Sequence, residues 1–420
     1  MRRTIRFVVL SIVAGLVATA RADDMNYQNY IIGDRAPGMG GAVAASADSV
    51  DAAYYNPAGL AHSRSNQVSV SASLYGVQER RIENAFGPGE DLDARSFVTV
   101  PSAVGSVYRL GPSLVGAFSV LVPYDYSAHE MASDGELGHR NLYSAQDRVL
   151  WVGPSVGWTA GPDLSLGVSV FGVYRTLSRF ISIYWQDEAL LYSDDQKIDA
   201  LSAVVLLGAQ YRLAEHWRAG LVLQPPSQPI LGSGSFQAQA VAGSGTGDDG
   251  NSSFAADLDA RYDMPGRMTV GLGWNDARWG CGLDVTHHFA LQYVAFKGWD
   301  EGGNRVRQES EADAVTDINL GAEYVYLDRY PLRAGFFTSF SAAPEAEVGA
   351  THRTGGTDLY GVTASVGRRG PSILTNVGIS YVMGSGEALG WEESGGEAQQ
   401  SVVDAEERQC YLFLNTSHVF

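Results

Sequence analysis

The chain has 420 residues, a hydrophobic fraction of 45% and a formal net charge of −18 at pH 7. So acidic a chain lacks the basic face that phosphate binding needs, which excludes nucleic acid as a partner. Its two cysteines, Cys281 and Cys410, lie too far apart in sequence for a disulfide framework and are too few for a zinc site. We therefore expect no metal and no cofactor.

Residues 1–22 have the features of a secretory signal peptide. Three arginines in the first six residues precede the apolar stretch Phe7 to Ala18, and Ala20-Arg21-Ala22 is a small-x-small cleavage site. Removing this segment takes the formal net charge from −18 to −22, because it contains four arginines and no acidic residue. No later stretch approaches the ~20 apolar residues of a membrane-spanning helix, so we expect an exported protein that is either soluble or a barrel.

Apolar and small polar residues alternate with a period of two from residue 67 onward. Val68 and Val70 alternate with Ser69 and Ser71, and similar patterns occur near 164–170, 268–275 and 373–381. A period of two puts the apolar residues on one face of a strand and the polar residues on the other. A soluble sandwich alternates too, but it turns the apolar face inward, whereas a membrane barrel turns that face to lipid.

Short and long connections alternate along nearly the whole chain. Six short ones lie near residues 110–112, 160–163, 213–216, 275–277, 327–331 and 368–371. Seven long polar ones lie near residues 78–95, 124–146, 181–198, 241–255, 291–313, 341–356 and 384–407. Tight periplasmic turns and long external loops are typical of outer-membrane barrels. We therefore predict an all-β fold, a transmembrane antiparallel β-barrel of about 14 strands over residues 67–420.

The carboxy-terminal segment Tyr411 to Phe420 has the length of a membrane-crossing strand and ends on an aromatic residue. Phe420 resembles the signal that the barrel-assembly machinery reads, which makes that machinery an expected partner. Together with the signal peptide, it predicts a location in the outer membrane of a Gram-negative bacterium. There we expect a monomer in contact with membrane lipid and lipopolysaccharide.

Residues 23–66 do not follow the strand pattern. They contain Gly38-Met39-Gly40-Gly41-Ala42, an acidic and Ala-rich run, and then Asn56-Pro57-Ala58. Small residues pack a chain closely, which favours a plug inside the barrel over a periplasmic extension. With these motifs the sequence resembles the FadL family, the outer-membrane transporters of long-chain fatty acids and hydrophobic compounds, over nearly its whole length.

The resemblance implies a fourteen-stranded barrel in which residues 23–66 form a hatch inside the lumen. It also implies that Asn56, Pro57 and Ala58 lie near a gap in the wall, which a kink in the third strand opens. Here the third strand, Leu114 to Val122, runs into Pro123, which lacks the N–H that a β-ladder needs. Pro123 is the predicted lateral opening; the alternative is that it simply ends the strand.

The more polar strand face carries several apolar residues, whereas a water-filled pore needs a charged lining. Phe171, Val173, Leu206 and Phe337 are therefore candidate contacts for a hydrophobic ligand, and the alternative is that they pack against the plug. Arg179 aligns with an arginine that lies near the ligand's polar head in the family. There it would pair with a carboxylate; the alternative is an arginine at the base of a loop.

The leading functional hypothesis is a channel that takes up hydrophobic small molecules, such as long-chain fatty acids or hydrocarbons, and releases them through a lateral opening. The alternative is a structural or secretion-accessory outer-membrane barrel without transport activity. An enzyme is not expected, because the strand phases bring no serine, histidine and carboxylate together on one wall.

Overall fold

The computed structural model describes residues 25–28, 30–134, 139–185, 190–242, 250–348, 355–394 and 397–420. The predicted signal peptide lies outside these residues. Within the described part of the chain, no helix is both long and apolar enough to cross a membrane.

The described chain forms one antiparallel sheet of eighteen strands. Their bounds in chain order are β1 Gln67–Gly87, β2 Glu90–Arg109, β3 Leu114–Asp134, β4 His139–Thr159, β5 Leu164–Trp185, β6 Leu190–Arg212, β7 Trp217–Gln224, β8 Gln228–Ala242, β9 Gly250–Ala260, β10 Arg267–Asn275, β11 Trp279–His288, β12 Leu291–Trp299, β13 Arg305–Ala312, β14 Val315–Tyr326, β15 Tyr330–Ser339, β16 Thr357–Arg369, β17 Ile373–Ser394 and β18 Glu397–Val419. The sheet is closed, because β1 pairs with both β2 and β18.

Eight of these strands are halves of four interrupted crossings. β7 and β8 both pair with β6, so together they make one crossing of the wall. β9 with β10, β11 with β12, and β13 with β14 follow the same arrangement. Counted by crossings, the barrel has 14 strands, which confirms the predicted fold.

All six predicted short connections are tight turns at one end of the barrel, which we call the short-turn end. The long polar stretches differ from the prediction, because strands extend far into them. β1 and β2, for example, are joined only by Pro88 and Gly89. A hairpin that projects beyond the membrane keeps its backbone hydrogen bonds paired, so its polar side chains do not prevent strand formation.

The apolar face of the alternating pattern points outward. Val68 and Val70 are 39% and 42% exposed, whereas Ser69 and Ser71 between them are buried. Other strands repeat this arrangement, with exposed Leu166, Val168, Val170, Leu221, Leu223, Val270, Leu272, Val377 and Ile379. Leaving apolar surface in water costs about 25 cal/mol per Å², so this belt indicates contact with lipid and excludes a soluble sandwich.

Residues 25–28 and 30–66, which we call the inner segment, lie inside the barrel. They contain three short helices, Ala36–Met39, Ala52–Tyr55 and Pro57–His62, and most of their side chains are buried. Their hydrogen-bond partners are spread around the wall: Ala209 on β6, Asp284 on β11, Asn319 on β14 and Asn415 on β18. Only a position in the lumen reaches all four strands.

Candidate binding site in the barrel lumen

Four aromatic side chains meet where the inner segment faces β4 and β5. Trp151 of β4 and Phe171 of β5 have ring centroids 5.5 Å apart, and both side chains are fully buried. Tyr54 of the inner segment packs edge-on against Trp151 at 5.4 Å and against Tyr55 at 5.1 Å. We call these four residues the aromatic cluster. Edge-on and offset contacts of this kind are the arrangements that aromatic rings prefer.

The aromatic cluster belongs to a larger apolar lining of the lumen. The structure places the candidate contacts Phe171, Val173 and Leu206 in this lining, together with Tyr124, Tyr126, Tyr143, Ile181, Tyr192 and Trp391. Ile32 and Ala53 of the inner segment are part of it too. These three residues therefore point into the barrel and belong to one cluster with residues of the inner segment. Their contact with a ligand stays a prediction.

Phe337 lies apart from this lining. It belongs to a second apolar cluster with Ile31, Met39 and Leu60 of the inner segment. Its ring lies against Gly361 of β16, where a larger residue would collide with it. Phe337 thus packs the inner segment against the wall and is not next to the aromatic cluster.

Three buried polar groups of the aromatic residues in this lining have no hydrogen-bond partner among the described residues. They are the indole Nε1 of Trp151, the indole Nε1 of Trp391 and the hydroxyl of Tyr192. An unpaired buried donor costs about 1–3 kcal/mol. A ligand that brings a weak acceptor, including an aromatic face, would relieve that cost.

The buried arginines of the lumen lie beside carboxylates. Arg175 makes a bidentate pair with Asp147, at 2.9 Å from Nε to Oδ1 and 2.6 Å from Nη2 to Oδ2. The candidate head-group residue Arg179 places Nη2 3.3 Å from Asp194 Oδ1, and both residues are buried. Sequence reasoning missed these acids because it treated 181–198 as a loop and did not assign Asp147 to a wall face.

The tripeptide Asn56-Pro57-Ala58 lies against β4, β5 and β6. The Asn56 side-chain amide donates to the carbonyl oxygens of Ala44 at 2.7 Å and Ala209 at 3.0 Å, and its Oδ1 accepts from the Ala58 N–H. Gly167 and Gly208 leave the room that this turn occupies, because a Cβ at either position would collide with it. The side-chain hydrogen bonds of Asn56 thus go to β6 and to the inner segment, not to the strand that carries Pro123.

The third strand continues through Pro123 to Asp134, so the alternative that this proline ends the strand is wrong. The pairing with β4 shifts register between Leu121 and Tyr124. On the other side, the ladder with β2 extends no further than the pair Ala103–Leu121 over the described residues. Pro123 therefore lies at the point where β3 loses β2 as a partner and keeps β4.

The terminal Phe420 donates its backbone N–H to the carbonyl oxygen of Asn66 at 3.0 Å, which ties the end of the chain to the start of β1. Its side chain is exposed. Within the described residues, no three His, Cys, Asp or Glu side chains are grouped so that they could hold a metal ion.

Two carboxylates fix the start of the inner segment. Asp51 accepts from the backbone N–H groups of Asp34, Arg35 and Ala36. The Asp34 carboxylate accepts from the hydroxyls of Ser69 on β1 and Ser417 on β18. Burial and the neighbouring Asp51 raise the pKa of Asp34 from 3.8 to about 7, although both serine hydroxyls act in the opposite direction.

We expect the inner segment to be held less firmly as pH rises. Because the pKa of Asp34 is raised in the folded state, the folded chain binds more protons between about pH 4 and 7, and stability falls over that window. Hydrogen exchange of residues 31–60, corrected for its intrinsic pH dependence, should therefore speed up between pH 4 and 7. Asp34→Asn should flatten this dependence, whereas Asp48→Asn, at an exposed position, should leave it unchanged. An unaltered dependence in Asp34→Asn would contradict the assignment.

Three solved structures on which this chain superposes are a FadL homologue and two toluene transporters. A FadL homologue of Pseudomonas aeruginosa superposes with a TM-score of 0.69 at 13% identity, over 94% of this chain and 100% of that chain. The toluene transporter TbuX of Ralstonia pickettii gives 0.63 at 16% identity, over 94% and 99%. The toluene transporter TodX of Pseudomonas putida gives 0.64 at 14%, over 97% and 98%. No family model matches the sequence, and no curated protein sequence matches it.

Proposed function

We propose that this chain is an outer-membrane channel for the uptake of uncharged hydrophobic small molecules. The observation that carries the proposal is the continuous apolar and aromatic lining of the lumen around Trp151 and Phe171. Such a lining binds by removing apolar surface from water, at about 25 cal/mol per Å². The lipid-facing belt and the fold shared with a FadL homologue and two toluene transporters support the membrane location and the transport role.

The charges of the lumen favour an uncharged cargo over a fatty acid. Arg175 and Arg179 already face Asp147 and Asp194 in buried ion pairs. A ligand carboxylate would have to approach those acids or displace one of them, and separating a buried pair leaves an uncompensated charge that costs about 3–5 kcal/mol. Hydrocarbons carry no such charge. TbuX and TodX, which share the fold, are toluene transporters.

The proposed route leaves the barrel sideways beside Pro123. An apolar molecule released into the periplasm would return its surface to water, so release into lipid is favoured. The ladder between β2 and β3 ends two residues before Pro123, which supports an opening there. Asn56, Pro57 and Ala58 support the same route, because as a hatch at the short-turn end they would close the axial path. A sealed accessory barrel is not favoured, because the structural neighbours are transport channels.

Replacing Pro123 with valine should reduce uptake towards the level of cells without the channel. Valine restores a backbone N–H and favours a regular ladder, which would close the gap. The measurement is uptake of radiolabelled toluene by cells that display equal amounts of parent and variant. Pro154→Val is the matched control, because Pro154 is an exposed strand proline of β4 opposite Phe118 of β3.

Parent uptake no greater than in cells without the channel would refute the proposed function. If the parent takes up toluene and Pro123→Val takes it up equally well, the opening lies elsewhere in the wall. The two failures are therefore distinguishable within one experiment.

A further inference from the structure

Four neighbouring crossings are interrupted along a single row of the sheet. Gln224, Arg267, His288 and Val315 are successive cross-strand partners. Directly beyond each of them the strand stops, at residues 225–227, 261–266, 289–290 and 313–314. A barrel wall in lipid must pair its backbone N–H and C=O groups within the protein. Four adjacent interruptions of the β-ladders are therefore unusual.

The widest interruption separates the β9–β10 crossing from the β11–β12 crossing. β9 and β12 share only two ladder pairs, and β10 and β11 begin theirs at Arg267–His288. Residues 262–265 lie between these ladders and belong to no strand. Their backbone is held on the other side, where Ser227 N–H donates to the Met264 carbonyl at 3.0 Å and Ser227 Oγ accepts from Met264 N–H at 2.7 Å.

The outer side of this interruption carries apolar side chains over Gly266. Phe289 is 49% exposed and lies over Gly266 together with Pro226. A Cβ added to Gly266 would lie 3.3 Å from Phe289 Cδ2 and 3.5 Å from Pro226 Cδ. A cover held by such contacts can swing aside by a side-chain rotation, which costs far less than breaking a β-ladder.

The inner side of the interruption opens on the lumen lining. Tyr262 and Met264 pack against the cluster that contains Phe171 and Val173. Arg267, at the edge of the break, lies over the ring of Tyr54 at 5.4 Å from its centroid. The break is therefore continuous with the aromatic cluster on one side and faces lipid through Phe289 on the other.

We propose that this break is a second gate in the barrel wall, through which uncharged hydrophobic molecules pass between the lumen and the membrane, with Phe289 as its cover. The proposal rests on the proposed function and adds a site to it. The gate is separate from the opening beside Pro123, because that opening lies between β2 and β3 and this one lies between β9–β10 and β11–β12.

Two substitutions should move uptake in opposite directions. Phe289→Ala removes the cover and should raise toluene uptake several-fold. Gly266→Val fills the space beneath Phe289 and should lower it. Phe118→Ala is the matched control, because Phe118 is 50% exposed on β3 and lies within the ladders to both neighbours.

A second readout does not depend on transport. In a background without Cys281 and Cys410, the Met264→Cys variant is exposed to a maleimide that is soluble only in the bilayer. Labelling should be slow with Phe289 present and several-fold faster when Phe289→Ala is added. Equal labelling rates, or a parent that takes up toluene while both gate variants match it, would overturn the gate. A parent without uptake whose labelling still depends on Phe289 would refute the proposed function and reduce the break to a packing defect.

Discussion

Gly208→Val is expected to dislodge the Asn56-Pro57 turn and to open the barrel to water-soluble molecules. A Cβ at this position would collide with Asn56 Oδ1 and would lie 2.8 Å from Pro57 Cδ. The turn has no room to retreat, because a Cβ at Gly167 on the adjacent strand would collide with it too. Displacement would break the hydrogen bonds of Asn56 to Ala44 and Ala209, each worth about 1 kcal/mol.

Conductance of single channels in planar bilayers measures the effect. The parent should pass little current, because the inner segment fills the short-turn end, and the variant should show large, fluctuating openings. Gly172→Val is the matched control, since a Cβ on that glycine of β5 would meet its nearest atom at an ordinary 3.8 Å. A Gly208→Val channel as quiet as the parent would mean that the seal does not depend on this turn.

Asp194→Asn is expected to convert the lumen from excluding carboxylates to binding them. The substitution keeps an oxygen beside Arg179 and removes the negative charge that Asp194 places next to this buried guanidinium. A fatty acid carboxylate bound there would restore a negative charge beside Arg179. A hydrogen bond to a charged group contributes about 1.5–3 kcal/mol, which corresponds to roughly a ten- to hundredfold gain in affinity.

Displacement of a fluorescent probe from purified protein, by a fatty acid and by the hydrocarbon of equal length, checks this expectation. The ratio of the two affinities should shift toward the acid in Asp194→Asn. Asp195→Asn is the control on the same strand, because the Asp195 carboxylate lies 3.7 Å from Lys197 in an exposed ion pair. If the ratio stays at the parent value, Arg179 does not contribute to ligand selection.

The barrel could be predicted because lipid imposes its pattern directly on the sequence. Val68 and Val70 face lipid and Ser69 and Ser71 face the interior, so the alternation read from the residues is the alternation in space. The tight turns could be predicted too, because proline, glycine or aspartate occurs in five of the six, the exception being residues 213–216. The projecting hairpins could not be predicted, because beyond the membrane neither face of a strand has to be apolar.

Only some of the interruptions in the wall could be predicted from the sequence. Pro225 and Pro226 predict the first interruption, because neither proline has a backbone N–H to donate to a β-ladder. Phe289 and Ala290 carry no such signal, and their break follows from the neighbouring strands that stop on the same row. An interruption that several neighbouring strands share depends on how those strands align with one another. The sequence of a single strand does not determine that alignment.

The candidate site shows the same limit. Phe171, Val173 and Leu206 lie on strands with clear alternation, and the structure places them in the lumen lining. Tyr126 and Tyr143 belong to the same lining but lie within 124–146, where the sequence predicts a long polar connection, so their inward orientation does not follow from the strand pattern. The ion pair of Arg179 with Asp194 depends on the alignment of β5 with β6, which only the folded sheet reveals.

The pairing of β1 with β18 sets an order on biogenesis. β18, which closes the cylinder, is synthesised after β1 to β17, while the segment that ends up enclosed precedes β1 in the chain. Ser417 and Asn415 of β18 bind Asp34, so the enclosed segment lacks part of its attachment until the final strand arrives. Closure of the cylinder thus completes the attachment of the inner segment. A chain cut short before β18 would lose the β1–β18 ladder together with the hydrogen bonds that join Asp34 to β18.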